Sequence, residues 1–179
     1  MLDQPATAQM IPAWGPDGTL APVEKLEAHR RGLRHPAISV FVMDGAGRTL
    51  IQRRAAGKYH TPLLWANACC THPRWGEDMA ACAGRRLEEE LGFTLPLTPR
   101  GEIEYRADVG GGLIEHELVS LFVAHAPDDL EIRPNPEEVA ATRWIAPDDL
   151  RAEIAAAPAR FTPWLRIYLA ERTPDIFGG

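Results

Sequence analysis

A short stretch with reactive side chains, residues 67–73 (Asn-Ala-Cys-Cys-Thr-His-Pro), is followed by a helix-like segment that ends in Glu-Glu-Glu-Leu-Gly. In an extended strand, alternate side chains share a face, so Cys70 would point to the same side as His72 and Cys69 to the opposite side. Only one of the two adjacent cysteines can therefore accompany the imidazole. The stretch predicts a buried strand that presents a thiol and a histidine together.

Apolar residues recur every four positions in residues 78–91, which predicts a helix with one buried face, and Gly92 predicts its end. On this helix Glu90 lies at the edge of the buried face, with Arg86 one turn before it. Glu89 falls on the opposite, solvated side. The pattern therefore selects Glu90 from a run of similar carboxylates.

The chain has 179 residues and is 45% hydrophobic, which predicts one domain spanning residues 1–179 with a sizeable core. A formal charge of -6 disfavours a surface for nucleic acid or an anionic membrane. No apolar run approaches the roughly 20 residues that cross a bilayer, and the start of the chain lacks the order of a signal peptide. Three cysteines are an odd number, which disfavours a disulfide framework. A cytoplasmic protein is expected.

The order of the predicted elements indicates an α/β (α+β) fold, in which helices cover both faces of a mixed β-sheet. Proline and glycine dominate residues 1–22, which predicts an irregular lead-in. Residues 37–44 and 48–52 are expected to form a hairpin around Gly45-Ala46-Gly47. Further strands are predicted at 64–70, 101–106, 113–124 and 143–145, and helices at 78–91, 147–156 and 163–171, the last two within a helical C-terminal part, 147–179.

Two carboxylates alternate along one predicted strand, so Glu115 and Glu117 share a face while His116 points away. Such a pair is usually a solvated face, and a single histidine is more often a satisfied polar residue than a ligand. Three imidazoles and two carboxylates would nevertheless suit a first-row divalent ion, or magnesium. The candidate ligands are His29, His35, His72, Glu115 and Glu117.

A basic cluster follows the hairpin. It comprises Arg53, Arg54 and Lys58, with Lys25 upstream and Arg86 on the helix. These cations are either a solvated positive edge or the groups that hold phosphate oxygens.

Three aromatic residues, Trp65, Tyr105 and Trp164, lie near these segments. Buried tryptophans are usually part of the core, which is the default for Trp65. An aromatic face in a dry pocket can also stabilise a cation by about 2 kcal/mol.

The helix resembles the Nudix box, G-x5-E-x7-R-E-U-x-E-E-x-G-U, in which U is aliphatic. The matching residues are Glu77, Arg85, Leu87, Glu89, Glu90 and Gly92. Two positions depart from the box, because Thr71 replaces the first glycine and Arg86 replaces the glutamate after the arginine. Nudix hydrolases use that glutamate to bind metal and drive attack of water, so the resemblance makes diphosphate hydrolysis doubtful.

Both departures fit a resemblance to the type I isopentenyl-diphosphate delta-isomerases, a Nudix-fold family that leaves the diphosphate intact. The resemblance covers about residues 20–170. Its marks are Lys25 with His29 and His35, the Arg53-Arg54 to Lys58 segment, Trp65-x-Asn67, Cys70-Thr71-His72-Pro73, Arg86-x3-Glu90-Leu91-Gly92, Tyr105-Arg106, Glu115-x-Glu117 and Phe161-x-Pro163-Trp164.

The resemblance implies an isomerase that protonates isopentenyl diphosphate to a tertiary carbocation and removes a neighbouring proton to give dimethylallyl diphosphate, in isoprenoid biosynthesis. It implies that Cys70 and Glu117 are the acid and base, with Tyr105 beside Glu117 and Trp164 against the cation. Nearby positive charge is expected to lower the pKa of Cys70. The terminal segments would act as lids.

The same resemblance implies two metal ions and a phosphate site. A divalent ion (Mn²⁺, Zn²⁺ or Mg²⁺) would occupy the three-histidine, two-glutamate site, and Mg²⁺ would join Glu90 to the diphosphate. The diphosphate-binding residues would be Lys25, Arg54, Lys58 and Arg86. The only partner expected is the small isoprenyl diphosphate substrate, bound by a monomer or a weak homodimer.

Two other readings remain open. A Nudix hydrolase of a diphosphate-containing substrate would need a replacement for the glutamate missing at Arg86, and it leaves Cys70 and Trp164 without a task. A non-catalytic Nudix-like ligand-binding module would retain its function when Cys70 is replaced by alanine.

Overall fold

The chain opens with a β-hairpin. In the computed structural model, which describes residues 9–178, β1 (Met10–Trp14) pairs antiparallel with β2 (Leu20–Glu24). Pro12 stands opposite Pro22 in this ladder. A two-stranded ladder tolerates proline at positions whose nitrogen faces away from the partner strand. The prediction of an irregular lead-in is therefore wrong for the described part of residues 1–22, and residues 1–8 lie outside the described residues.

Helix α1 (Lys25–Arg31) follows the hairpin directly. The Glu24 carboxylate accepts hydrogen bonds from two backbone N–H groups of the first turn, and Gly32, with φ of 60°, closes the last turn in the left-handed conformation. His29 therefore lies in the second turn of a helix. The helix buries this histidine with Ala28 against the rest of the protein.

The central sheet has seven strands and is mixed, as predicted. Its bounds are β3 (His35–Met43), β4 (Thr49–Arg54), β5 (Trp65–Asn67), β6 (Cys69–Thr71), β7 (Thr98–Gly110), β8 (Leu113–His125) and β9 (Val139–Ile145). The main path runs β5-β4-β3-β8-β7, while β6 pairs with β3 and β9 with β4. Strands β3 and β8 are parallel, and the other paired strands are antiparallel.

The expected hairpin of β3 and β4 is paired only where Met43 meets Thr49. Every residue of β3 is buried, because both faces of this strand are covered and its edges pair with β8 and β6. Strand β4 pairs with β5 and β9 instead. The two strands therefore diverge after the turn.

The expected continuous strand at 64–70 is divided at Ala68. Strand β5 pairs with β4 and strand β6 pairs with β3, so the two short strands lie on different neighbours. The Asn67 side chain donates hydrogen bonds to the backbone carbonyls of Val40 and Cys69, and thereby holds the junction. The prediction of one strand was wrong because local pattern does not show which strand each half will join.

Helices cover both faces of the sheet. Helix α2 (Met79–Leu91) packs through Leu87 on the face that carries Val40, whereas α4 (Pro163–Glu171) packs through Leu165 on the opposite face, with Phe41. Helix α3 (Pro147–Ala156), a 3-10 turn (Pro158–Arg160) and α5 (Thr173–Phe177) complete the C-terminal part. The predicted helices at 78–91, 147–156 and 163–171 are confirmed. Within residues 9–178, no helix is both long and apolar enough to cross a membrane.

Candidate active site

One cavity gathers nearly all of the side chains that the sequence singled out for chemistry. It is a small cavity, with a volume of about 30 Å³. Its lining residues are Lys25, Arg54, Lys58, Tyr59, His60, Cys70, Thr71, His72, Arg86, Tyr105, Glu115, Glu117 and Trp164.

Three adjacent strands bring the polar floor of the cavity together. His35 on β3 stands opposite Glu117 on the parallel strand β8, and Tyr105 on β7 stands opposite the same glutamate. Glu115 and Glu117 share one face while His116 points away, as alternation predicted, and the shared face is buried. The Tyr105 hydroxyl lies 2.7 Å from Glu115 Oε2 and 2.8 Å from Glu117 Oε2.

The predicted imidazoles surround these carboxylates with their lone pairs directed inwards. His29 Nδ1 donates to the carbonyl of Lys25 at 2.6 Å, and His35 Nδ1 donates to the carbonyl of Leu33 at 2.7 Å. The Nε2 atoms of both rings are buried. His29 Nε2 finds no hydrogen-bond partner within residues 9–178, and His35 Nε2 lies 3.4 Å from a Glu117 oxygen. This is the arrangement of histidines that ligate a metal, in which the second nitrogen is held by a hydrogen bond.

Burial keeps most of this histidine cluster neutral. It lowers the pKa of His29 to about 4 and the pKa of His72 well below its ordinary value. Burial also acts to lower the pKa of His35, but the hydrogen bond and charge of Glu117 outweigh it and raise that pKa. Neutral rings and two buried carboxylates form a donor set that a divalent cation fits, because the cation balances the charge and occupies the unpartnered nitrogens.

The structure divides the predicted ligands into two overlapping groups. His29, His35, His72 and Glu117 place ligand atoms within 4.8 Å of one another, and so do His29, His60 and Glu115. His60 was not identified from the sequence. It lies in the irregular segment between β4 and β5, where no periodicity assigns a direction to a side chain.

The Cys70 thiol lies at the side of the cavity in a polar cradle. Its S–H group donates to Asn67 Oδ1 at 2.9 Å, and its sulfur lies 2.9 Å from Ser39 Oγ, which also contacts the Tyr168 hydroxyl at 2.8 Å. Ser39 is the direct cross-strand neighbour of Cys70. Cys69 points to the other face and joins the core under α2, as alternation predicted.

The pKa of Cys70 moves in the direction opposite to the one expected from its resemblance. Burial raises it, and the charge of Glu117 adds to that effect, whereas the hydrogen bonds of Ser39 and Asn67 act to lower it. The expectation of a lowered pKa is therefore wrong, because burial favours the neutral thiol.

Four cations of the basic cluster are among the residues that line the cavity. They are Lys25, Arg54, Lys58 and Arg86. Arg53, on the alternate face of β4, is exposed and donates to the backbone carbonyl of Leu63. Burial lowers the pKa of Lys25 to about 8, and the neighbouring charge of Lys58 contributes to this shift.

Two of these cations already have carboxylate partners. Lys58 pairs with Glu138, and Arg86 pairs with both Glu90 and Glu138. The second oxygen of Glu90 accepts a hydrogen bond from the Gln52 amide at 2.8 Å. Glu138 is a further acidic residue that the sequence analysis did not identify, and it follows a loop without regular structure.

The two tryptophans singled out from the sequence occupy different places, because Trp164 lines the cavity and Trp65 packs against the core. Trp164 is buried and lines the cavity, with the Arg54 guanidinium 5.2 Å from its ring. Trp65 lies outside the cavity, where Arg143 covers its ring at 4.8 Å. The default reading of Trp65 as a packing residue is in accord with this position.

In the Nudix-like segment, Glu77 and Arg85 match the box and contact each other, whereas Arg86 departs from it. Glu77 accepts two hydrogen bonds from Arg85, at 2.6 and 2.8 Å, which ties the loop before α2 to the helix. Arg86, where the box has glutamate, directs its guanidinium into the cavity. A positive group therefore replaces a metal-binding carboxylate at this position.

Comparisons with known proteins agree with this geometry. The NUDIX domain model matches residues 33–165. An isopentenyl-diphosphate Delta-isomerase of Cereibacter sphaeroides (strain KD131) is 66% identical over 95% of this chain and 96% of its own, and that of Dinoroseobacter shibae is 63% identical over 94% and 96%. The crystal structure of a MutT Nudix hydrolase from Burkholderia pseudomallei aligns with a TM-score of 0.61 at 26% identity, over 78% of this chain and 98% of that one. The chain belongs to the Nudix superfamily and, within it, to the isopentenyl-diphosphate Delta-isomerases.

Proposed function

We propose that this chain interconverts isopentenyl diphosphate and dimethylallyl diphosphate, with Cys70 and Glu117 exchanging protons with the substrate. The observation that carries this role assignment is that both groups line one small cavity together with four cations. An anionic diphosphate would bind at these cations, and the short hydrocarbon chain would extend between the thiol and the carboxylate. Family membership supports the isomerase activity itself.

Glu117 has the surroundings of a group that holds and releases a proton. Tyr105 carries a single hydroxyl proton but lies within hydrogen-bonding distance of both Glu115 and Glu117. The hydroxyl can donate to only one of the two carboxylates. The other carboxyl group can form its hydrogen bond only when it is protonated and donates to the hydroxyl oxygen, so the cluster has a place for an exchangeable proton. His35 stabilises the ionised form of Glu117, since its hydrogen bond and charge lower the pKa of that glutamate although burial opposes the change.

Cys70 supplies the second proton-transfer site. Asn67 accepts a hydrogen bond from the thiol, and Ser39 can donate one to the thiolate, so the cradle accommodates both protonation states. The reaction is reversible, and each of Cys70 and Glu117 therefore gives a proton in one direction and takes one in the other. The transferred proton adds to the terminal alkene carbon and leaves the positive charge on the internal alkene carbon. The methylene carbon next to that cation, on the diphosphate side, then loses a proton to form the new double bond.

The carbocation formed between these steps must be protected from water. The buried ring of Trp164 forms part of the wall, and an indole face stabilises positive charge without offering a nucleophile. Helix α4 supplies this ring, and α1 supplies His29 from the opposite terminal part of the chain. We propose that these two terminal parts close the cavity around the substrate.

The histidine and glutamate cluster would hold a divalent ion (Mn²⁺, Zn²⁺ or Mg²⁺) through His29, His35, His72, Glu115 and Glu117. Such an ion would supply a Lewis acid that balances the buried carboxylates. Lys25, Arg54, Lys58 and Arg86 would neutralise the diphosphate, with Glu90 as the carboxylate for an accompanying Mg²⁺. Both oxygens of Glu90 have protein donors, so binding of Mg²⁺ there requires Arg86 or Gln52 to change partner.

The remaining properties stay proposals. We propose that residues 1–179 form a single Nudix-like domain, in which the matched residues 33–165 are flanked by terminal additions. A cytoplasmic location, a monomer or weak homodimer, and an absence of nucleic-acid and membrane partners are expected from composition and charge.

The decisive experiment incubates the protein with isopentenyl diphosphate and Mg²⁺ in deuterated water and follows the products by NMR. Appearance of deuterium in dimethylallyl diphosphate is the expected result. Release of inorganic phosphate or pyrophosphate without an allylic product would instead identify a hydrolase, and binding without any conversion would identify a ligand-binding module. Arg86 at the position of the missing glutamate argues against the hydrolase.

A further inference from the structure

His60 is a buried imidazole of the cavity for which the proposed mechanism provides no task. Its side chain is only 3% exposed, and its Nε2 atom lies 3.1 Å from Glu115 Oε1. The ring contacts Trp164 edge-on, with centroids 5.8 Å apart. The residue therefore lies between the expected metal ligands and the hydrocarbon end of the cavity.

The hydrogen bonding of His60 follows the same pattern as that of the expected ligands His29 and His35. Each of those rings is held through Nδ1 by a group outside the cluster and directs Nε2 inwards. His60 is held through Nδ1 by the Thr61 hydroxyl at 3.0 Å and also directs Nε2 inwards. A second partner that fixes the tautomer and ring orientation is characteristic of histidines bound to metals.

The spacing of the ligand atoms is compatible with one shared ion. Ligand atoms of His29, His60 and Glu115 lie within 4.8 Å of one another, and His29 also belongs to the group with His35, His72 and Glu117. With metal–ligand distances of about 2.1 Å, opposite ligands of one ion lie roughly 4.2 Å apart. Because His29 belongs to both groups, an ion bound beside it would attract the ligand atoms of each group.

The segment that carries His60 is held in an unusual conformation. Thr61 and Leu63 have positive φ angles of 45° and 62°, which side-chain-bearing residues rarely adopt. Arg54 donates hydrogen bonds to the backbone carbonyls of His60 and Thr61, at 3.1 and 3.2 Å. Backbone strain that the surroundings maintain is frequently found where a loop positions a functional group.

We propose that His60 is a further ligand of the divalent ion, binding through Nε2, so that four imidazoles and two carboxylates complete an octahedral site. This inference rests on the metal site of the proposed function and extends it. Six protein ligands would leave no position for water on the ion, which suits a cavity in which a carbocation must survive.

The test uses the full-length protein loaded with Mn²⁺ alone. X-ray absorption at the manganese edge measures the number of imidazole ligands, and calorimetry measures the affinity. We expect four imidazoles in the wild type and three in His60→Gln, with Mn²⁺ binding weakened about 10- to 100-fold. His125→Gln is the matched control, because His125 is an exposed histidine at the end of β8 and outside the cavity.

The wild-type measurement tests the inference even if His60→Gln fails to fold, which circular dichroism would reveal. Three imidazoles in the wild type would overturn the inference, whether or not the variant binds Mn²⁺ less tightly. In that case a weaker variant would mean that His60 acts only by orienting Glu115. Failure of the wild type to bind any Mn²⁺ would overturn the inference together with the proposed metal site, but it would leave proton transfer by Cys70 to be judged by the deuterium experiment.

Discussion

His35 and Glu117 stand opposite each other on the parallel strands β3 and β8, and Nε2 of the histidine lies 3.4 Å from Oε1 of the glutamate. His72, the residue after strand β6, places its Nε2 atom 2.7 Å from the same oxygen. Strands β6 and β8 pair with β3 on opposite sides, so that His72 and Glu117 are brought to the same point. This junction of the sheet fixes the position of the Glu117 carboxylate.

Replacing Tyr105 with phenylalanine should impair turnover more than substrate binding. The phenol contacts both Glu115 and Glu117, and its loss removes the hydrogen-bond donor that they share. We expect kcat to fall by about 100-fold while KM changes little. Steady-state kinetics measures both constants, and an unchanged kcat would show that the phenol has no part in proton transfer.

Replacing Cys70 with alanine should abolish isomerisation, with a loss of roughly 1,000-fold or more, because one of two proton-transfer groups is removed. Cys69→Ala is a closely matched control, since Cys69 is the adjacent cysteine and its side chain packs under α2, away from the cavity. The control should retain activity and lose only some stability. Equal loss of activity in both variants would contradict the assignment of Cys70.

The efficiency of the enzyme should fall as the pH rises through about 8, because the pKa of Lys25 is lowered to about 8 by burial and by the neighbouring Lys58. Below that pH the ammonium group is charged and attracts the diphosphate, and above it the free protein holds a neutral amine. In Lys25→Arg this decline should disappear, since a guanidinium stays charged. A kcat/KM profile against pH gives the answer, and an identical decline in the variant would exclude Lys25 as its cause.

Removal of the divalent ion should destabilise the protein. The two buried carboxylates and the inward-facing nitrogens would lose their common partner. Adding Mn²⁺ back at 1,000 times its dissociation constant should raise the free energy of unfolding by about 4 kcal/mol. Thermal unfolding with chelator and with Mn²⁺ measures the difference, and an unchanged melting temperature would argue against a metal in this cluster.

Much of the fold and site could be predicted because it depends on local pattern. The apolar spacing and the flanking residues Asp78 and Gly92 determine α2, which begins and ends with a side-chain cap and a left-handed glycine. Alternation along β8 determines that Glu115 and Glu117 share a face, whereas the burial of that face depends on the packing around it. These relations involve neighbours in the sequence, so the residue types carry the information.

Tertiary structure alone decided which side chains from distant segments contact each other in the cavity. Ser39 lies against the Cys70 sulfur because β3 pairs with β6, and His60 reaches Glu115 from a loop that has no periodic pattern. The raised pKa of Cys70 was likewise beyond reach of the sequence, because burial and the charge of Glu117 arise only after strands distant in the chain have packed together. The sequence determined which groups were available for chemistry, whereas long-range pairing and desolvation determined which of them share a cavity and which hold their protons.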